Sequence, residues 1–158
     1  MLVGEQPGDE EDLRGHPFVG PAGRILDQCL DAAGLKRGEV FVTNAVKHFK
    51  WEPRGQRRLH KKPVLSEIKA CNIWLQSEIG GVKPHVIVAL GATALRAILG
   101  RASTIDAARR ESLRHSSGAT VLASYHPSAI LRAEGQHAAQ LHAMLIEDLK
   151  RARSLGVA

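Results

Sequence analysis

Two short apolar runs constrain the fold of this chain more than any other feature: HVIVAL at 85–90 and TVLAS at 120–124. Neither run alternates polar with apolar positions, so each reads as a strand buried on both faces, the kind found in parallel sheets covered by helices. The rest of the pattern agrees. Leu2 and Val3 form the stub of a strand running into GEQPGDEED. Pro21 starts a helix that runs through ILDQCLDAAG and stops near Gly34, with proline in the first turn and glycine at the end. Val40 to Thr43 is a short β-branched strand. A helix over about 64–79 puts Leu65, Ile68, Cys71 or Asn72, Leu75 and Ile79 on one stripe. Gly91 opens a further helix, GATALRAILG, and a last one spans about 136–153. Residues 101–118 carry only weak patterning. Strands alternating with helices predict one α/β domain over 1–158, three layers deep, with a central, mostly parallel four-stranded sheet.

Ligands of such sheets bind beyond the carboxyl ends of the strands. Three distinctive segments fall there: GEQPGD after the first strand, Asn44 after the second and His126 after the last. They are distant in sequence, yet this topology brings them to one rim. Taken alone, Asn44 reads at least equally well as a turn cap, whereas for His126 a strand-end histidine satisfied by backbone is the weaker reading.

From Asn44 to Pro63 the chain makes a long polar connection without a helix or strand period. Within it, RGQRRLHKK gathers Arg54, Arg57, Arg58, Lys61 and Lys62 around His60. Clustered cations on a loop are a footprint for phosphates, although a solvated basic loop has the same composition. Like-charged neighbours disfavour an imidazolium, so His60 is expected to be neutral and nucleophilic near pH 7. The formal net charge of +6 favours polyanionic partners. It is unevenly spread: residues 47–62 hold seven of the 22 basic residues and one acid, whereas residues 5–12 hold five acids and no base. Two cysteines are too few for a disulfide framework, and no signal peptide or membrane-length apolar run is present, which points to a cytoplasmic protein. Cys29 fits the apolar face of its helix and reads as a core thiol. GEQPG lacks the Lys-Ser/Thr of a P-loop, and no GxGxxG occurs.

The segments GEQPGDEED (4–12), GHPFVGPAGRILD (15–27), VTNAVKHFK (42–50), RRLHK (57–61), ACNIWL (70–75), VIVALGATA (86–94) and YHPSAILR (125–132) resemble the uracil-DNA glycosylase superfamily. Within it they are most similar to the family-4-like group, and the RRLH insertion resembles the loop of its X type. In the X type the matching histidine becomes covalently joined to the DNA sugar after uracil is released. The resemblance implies a base pocket in which Phe18 stacks on a flipped base, Asn44 reads the uracil edge and Gly4 and Asp9 contribute. It implies catalytic roles for Glu5, Gln6 and His126, with His60 as covalent nucleophile. Arg57, Arg58, Lys61 and Ser128 would contact DNA. The implied partner is uracil-containing DNA, single-stranded by preference, bound by a monomer.

The resemblance also implies a [4Fe–4S] cluster, two of whose ligands come from a Cys-x-x-Cys motif ahead of the first strand. No such motif occurs here. Cys71 matches one family ligand and His48 stands where family 4 has another cysteine, so either the native protein starts further upstream and that longer form bears the cluster, or this form has lost it. Three readings remain open from sequence: an adduct-forming glycosylase, a turnover glycosylase of family-4 type, and a non-catalytic DNA-binding module.

Overall fold

The computed structural model describes residues 1–156. The chain opens with strand β1 (Leu2–Gly4), helix α1 (Asp9–Arg14) and helix α2 (Pro21–Ala33). A single 3₁₀ turn (Arg37–Glu39) leads into strand β2 (Val42–Asn44). Strands β3 (Trp51–Arg54) and β4 (Arg57–His60) follow, then helix α3 (Leu65–Val82), strand β5 (Val86–Leu90) and helix α4 (Ala92–Leu99). Helix α5 (Ile105–Ala108), strand β6 (Leu113–Arg114), strand β7 (Thr120–Ser124), helix α6 (Pro127–Arg132) and helix α7 (Gly135–Gly156) complete it.

The central sheet has the order β2-β1-β5-β7-β6. The first four strands are parallel, and β6 runs antiparallel to β7. The sheet therefore has five strands where the sequence pattern predicts four. The extra one contributes two residues, Leu113 and Arg114, of which only Leu113 is buried. An edge strand that short has no period to read. Side-chain alternation splits the core into two halves. Val3, Ile87, Ala89, Val121 and Ala123 face α3 and α4. Leu2, Val86, Val88, Leu90 and Leu122 face α2, α6 and α7. β1, β5 and β7 thus bury both faces, the physical reason for the unbroken apolar runs. Cys29 sits wholly buried in the second half, where burial pushes its thiol up to about 11.

Two further segments differ from expectation. The acidic stretch after β1 is helical: Asp9, Glu10, Glu11 and Asp12 occupy the first turn of α1, where the helix dipole favours negative charge. The polar connection after β2 holds an antiparallel hairpin, with Trp51 opposite His60 and Arg54 opposite Arg57 across a Gly55-Gln56 turn. Gly55 has φ of 61°, as a tight hairpin of this kind requires. The hairpin is largely exposed, so no apolar alternation betrays it. Among the described residues no helix is long and apolar enough to cross a membrane.

β1 lies between β2 and β5, so the chain leaves it to one side and later returns on the other. This reversal opens a crevice at the carboxyl ends of the strands. The register brings Gly4 level with Asn44, and Leu90 level with Ser124.

Leu145 of α7 is fully buried against the sheet. Leu145→Ala is expected to cost roughly 2–5 kcal/mol in urea unfolding. A loss near zero would show that α7 is not part of the cooperative core.

Candidate active site

A cleft of about 830 Å³ lies over these strand ends, lined among others by Glu5, Phe18, Asn44, His60, Thr93 and His126. The topology thus gathers the three rim segments into one cavity and adds the foot of the hairpin, where β4 ends at His60.

One wall depends on close backbone approach. Phe18 is 6% exposed and has φ of 54°, a left-handed conformation unusual for an aromatic residue. Its ring lies across Gly4: a Cβ there would stand 2.6 Å from Phe18 Cζ and would also collide with the Asn44 carboxamide. A Cβ on Gly23 of α2 would run into the Phe18 carbonyl. Arg37 holds the turn from outside. Its Nη2 donates to the Pro17 carbonyl at 2.8 Å, and its Nη1 to Asp27 at 2.8 Å.

Asn44 is 6% exposed. Its backbone carbonyl accepts from Lys47 Nζ at 2.7 Å, and Lys47 also binds Thr43 and Glu78. Its side-chain amide, by contrast, makes no hydrogen bond with the described residues and fronts the cleft.

His126 is held by its own helix start. The Ser128 backbone N–H donates to Nδ1 at 3.1 Å, and the Ser128 hydroxyl lies 2.8 Å from the same nitrogen. An Nδ1 that accepts must leave the proton on Nε2, so this pattern assigns the tautomer. Burial is the main cause that pushes the imidazole down to about 4, with the Glu5 charge opposing it and Arg132 assisting. At neutral pH His126 is an uncharged donor. Its ring centre lies 5.5 Å from that of Phe18.

Glu5 joins two distant elements. One carboxylate oxygen lies 3.3 Å from His60 Nε2, and the other accepts from the Thr93 hydroxyl on α4. Burial alone would raise its pKa. The hydrogen bonds from His60 and Thr93, and the His60 and His126 charges, outweigh it and hold the carboxyl below its ordinary value.

The hairpin that carries His60 is fastened at two places. At its base, Gln6 Nε2 donates to the Lys61 carbonyl at 3.0 Å and the Lys50 carbonyl at 3.3 Å, while its Oε1 accepts from the Lys50 N–H at 3.2 Å. The Gln6 amide is thus engaged with the hairpin backbone. Farther out, Arg58 donates to Asp9 and, at 2.7 Å, to Asp12, and packs over the rings of Phe49 and Trp51. Asp9 and Arg58, assigned from the sequence to substrate and to DNA, are engaged with one another here. Lys61 pairs with Glu52 at 2.7 Å. Arg57 is exposed, with no carboxylate partner among the described residues.

Cys71 packs in the α3 half of the core and His48 is exposed on the loop after β2. No group of three or more His, Cys, Asp or Glu among the described residues is arranged to hold a metal ion. These residues by themselves do not fit a four-ligand cluster.

The sequence pattern of the uracil DNA glycosylase superfamily matches residues 1–150. The chain belongs to this superfamily. The Type-4 uracil-DNA glycosylase of Thermotoga maritima is 37% identical over 155 residues, covering 98% of this chain and 76% of that protein. The Type-4 uracil-DNA glycosylase of Pyrobaculum aerophilum is 38% identical over 146 residues, covering 84% and 67%. A Type-5 uracil-DNA glycosylase of the same organism is 35% identical over 92 residues, covering 58% and 37%.

Sequence reasoning about this superfamily member missed two contacts. Thr93 follows β5 on the same rim as Asn44 and His126, and that position was its only signal. Glu11 has the look of a solvated acid, yet its carboxylate accepts from Gly8 N–H at 3.1 Å and Gly20 N–H at 2.9 Å, tying together the starts of α1 and α2.

The depressed His126 value carries a stability prediction. The unfolded chain takes up this proton near the ordinary 6.5 and the folded chain only near 4. Stability is therefore full above the first value and falls as pH drops through this window. His126→Gln should flatten the pH dependence of the urea midpoint there. An unchanged slope would mean that the ring titrates normally.

Proposed function

We propose that this chain is a uracil-DNA glycosylase that extrudes uracil from DNA, cleaves its glycosidic bond and remains joined to the abasic sugar through His60. The observation that carries the glycosylase reading is the Asn44 carboxamide, buried at the rim with its hydrogen-bonding groups unspent. Uracil presents an acceptor at O4 and a donor at N3, which a carboxamide satisfies together. Cytosine offers an amine at that position and would leave buried polar groups unpaired, at about 1–3 kcal/mol each. Phe18 gives the flipped base an apolar face. Unpaired bases are extruded most cheaply, which supports a preference for single-stranded DNA.

Cleavage puts negative charge on the departing uracil and positive charge on C1′. The neutral His126 Nε2–H suits the first as a donor to O2, and the Glu5 carboxylate, kept anionic, suits the second. In the adduct step the C1′–N1 bond breaks and uracil leaves with the bonding pair. The imidazole nitrogen of His60 that holds the lone pair bonds to C1′, and the ring N–H proton passes to Glu5. The support for this step is the 3.3 Å approach of His60 to Glu5 and the Gln6 and Arg58 anchors that restrain the hairpin. An imidazole so held competes with water through its effective concentration. A second reading, turnover without an adduct, is favoured by the Type-4 names of the relatives.

A denaturing gel with uracil-containing single-stranded DNA separates the two. The adduct predicts a denaturant-resistant band, whereas turnover predicts an abasic product without it. His60→Ser is expected to lose the band and still release uracil, since water can take the place of the imidazole. A His60→Ser protein that cross-links would sink the assignment.

Arg57, exposed on the hairpin, is the phosphate contact this reading favours. Arg57→Ala should weaken binding to all sequences alike and reduce the salt slope by about one. An unaltered slope would remove Arg57 from the DNA path.

A further inference from the structure

Asp148 on α7 is buried, at 7% exposure, and the chemistry above makes no use of it. A buried carboxylate costs several kcal/mol unless it is fully paired, and an apolar residue in its place is often no worse for stability. Asp148 is fully paired. The Ser124 hydroxyl donates to its Oδ2 at 2.6 Å. Arg109 donates to it from Nε at 3.0 Å and from Nη2 at 3.0 Å.

Both partners lead to the cleft. Ser124 is the last residue of β7, two positions before His126. Its carbonyl accepts from the Gly91 N–H at 2.9 Å, and Gly91 packs against His126, where an added Cβ would stand 3.2 Å from the histidine Cβ. The end of β7 is thus tied to β5 through backbone and to α7 through Asp148. Arg109 lies 5.6 Å from the centre of the Tyr125 ring. Tyr125 donates its hydroxyl to Asp106 on α5, and Tyr125 and Ile105 both line the cleft. One carboxylate therefore holds the strand end that presents the histidine and the short helix that forms the facing wall.

We infer that Asp148 is a positioning residue, which through Ser124 and Arg109 sets the placement of the His126 imidazole and of the Ile105–Tyr125 wall for uracil release. This rests on the glycosylase reading and is independent of adduct formation. Asp148 itself touches no substrate.

Ser124→Ala is the decisive variant, because it removes one hydroxyl at the strand end and leaves the Arg109–Asp148 pair in place. Asp148→Asn, which keeps the shape and loses the charge, is its companion. Ser124→Ala is expected to bind uracil-containing single-stranded DNA within about twofold of wild type, yet to release uracil ~10-fold more slowly in single turnover, since a small misplacement of a reacting group is costly. Asp148→Asn should be slower still. In an NMR titration His126 should move up from about 4 toward 6.5 in both variants, as a loosened ring gains water. If the network is structural only, the variants melt earlier while the release rate and the His126 titration stay at wild-type values. That result overturns the inference. Should Asp148→Asn fail to fold, Ser124→Ala decides alone. A wild-type chain that releases no uracil would refute the glycosylase reading, and the His126 titration in Ser124→Ala would still decide whether Asp148 and Ser124 position the ring.

Discussion

The Glu5 carboxylate is the constraint around which the cleft is assembled. It sits at the end of β1, where burial disfavours its charge, and it remains anionic because His60 and Thr93 bind it from two sides. Those partners come from the exposed hairpin and from the first turn of α4. A partly buried charge that must be satisfied therefore fixes where two otherwise independent elements meet β1. The Gln6 contacts to the hairpin base, one residue along, hold the same junction through backbone. If Glu5 were apolar, nothing in the apolar core would specify the position of His60.

Electrostatic contrast is built into the same few ångströms. Glu5 is held below its ordinary value by hydrogen bonds, while burial drives His126 down to about 4. An anion and a neutral donor stand on one rim, and a reaction that separates negative charge on a base from positive charge on a sugar needs that pair. The tautomer follows from the Ser128 N–H on Nδ1, so the donor direction is set by the start of a helix and not by the ring itself. Behind it, the Asp148 network spends a buried ion pair on orientation where an apolar contact would have served for cohesion.

Much of the fold was legible in the residues. The runs at 85–90 and 120–124 required strands covered on both faces, and Pro21 and Gly34 bracketed α2 almost to the residue. The rim argument brought GEQPGD, Asn44 and His126 to one place from topology alone. The misses share a cause. β6 has two residues, β3 is exposed throughout and β4 is at most half-buried, so none of them carries the burial alternation from which strands are read. Basic residues in RRLHK read as a phosphate footprint or a solvated loop, and the string does not say which of them are already paired. Arg58 finds Asp9 and Asp12 across 49 and 46 positions.

By itself, the sequence determined the layered α/β class, the rim on which chemistry gathers and the residue types able to read a base. Burial periodicity and strand order follow from local composition, and composition is present in the string. Only the tertiary structure decided which charges are spent on one another and which remain free. Arg58 closes on α1 while Arg57 stays exposed; Asp148 turns inward while Glu147, its neighbour, does not. The physical reason is that hydrogen bonds and ion pairs are short-ranged and directional. They depend on ångström distances between segments whose separation along the chain carries no trace of them.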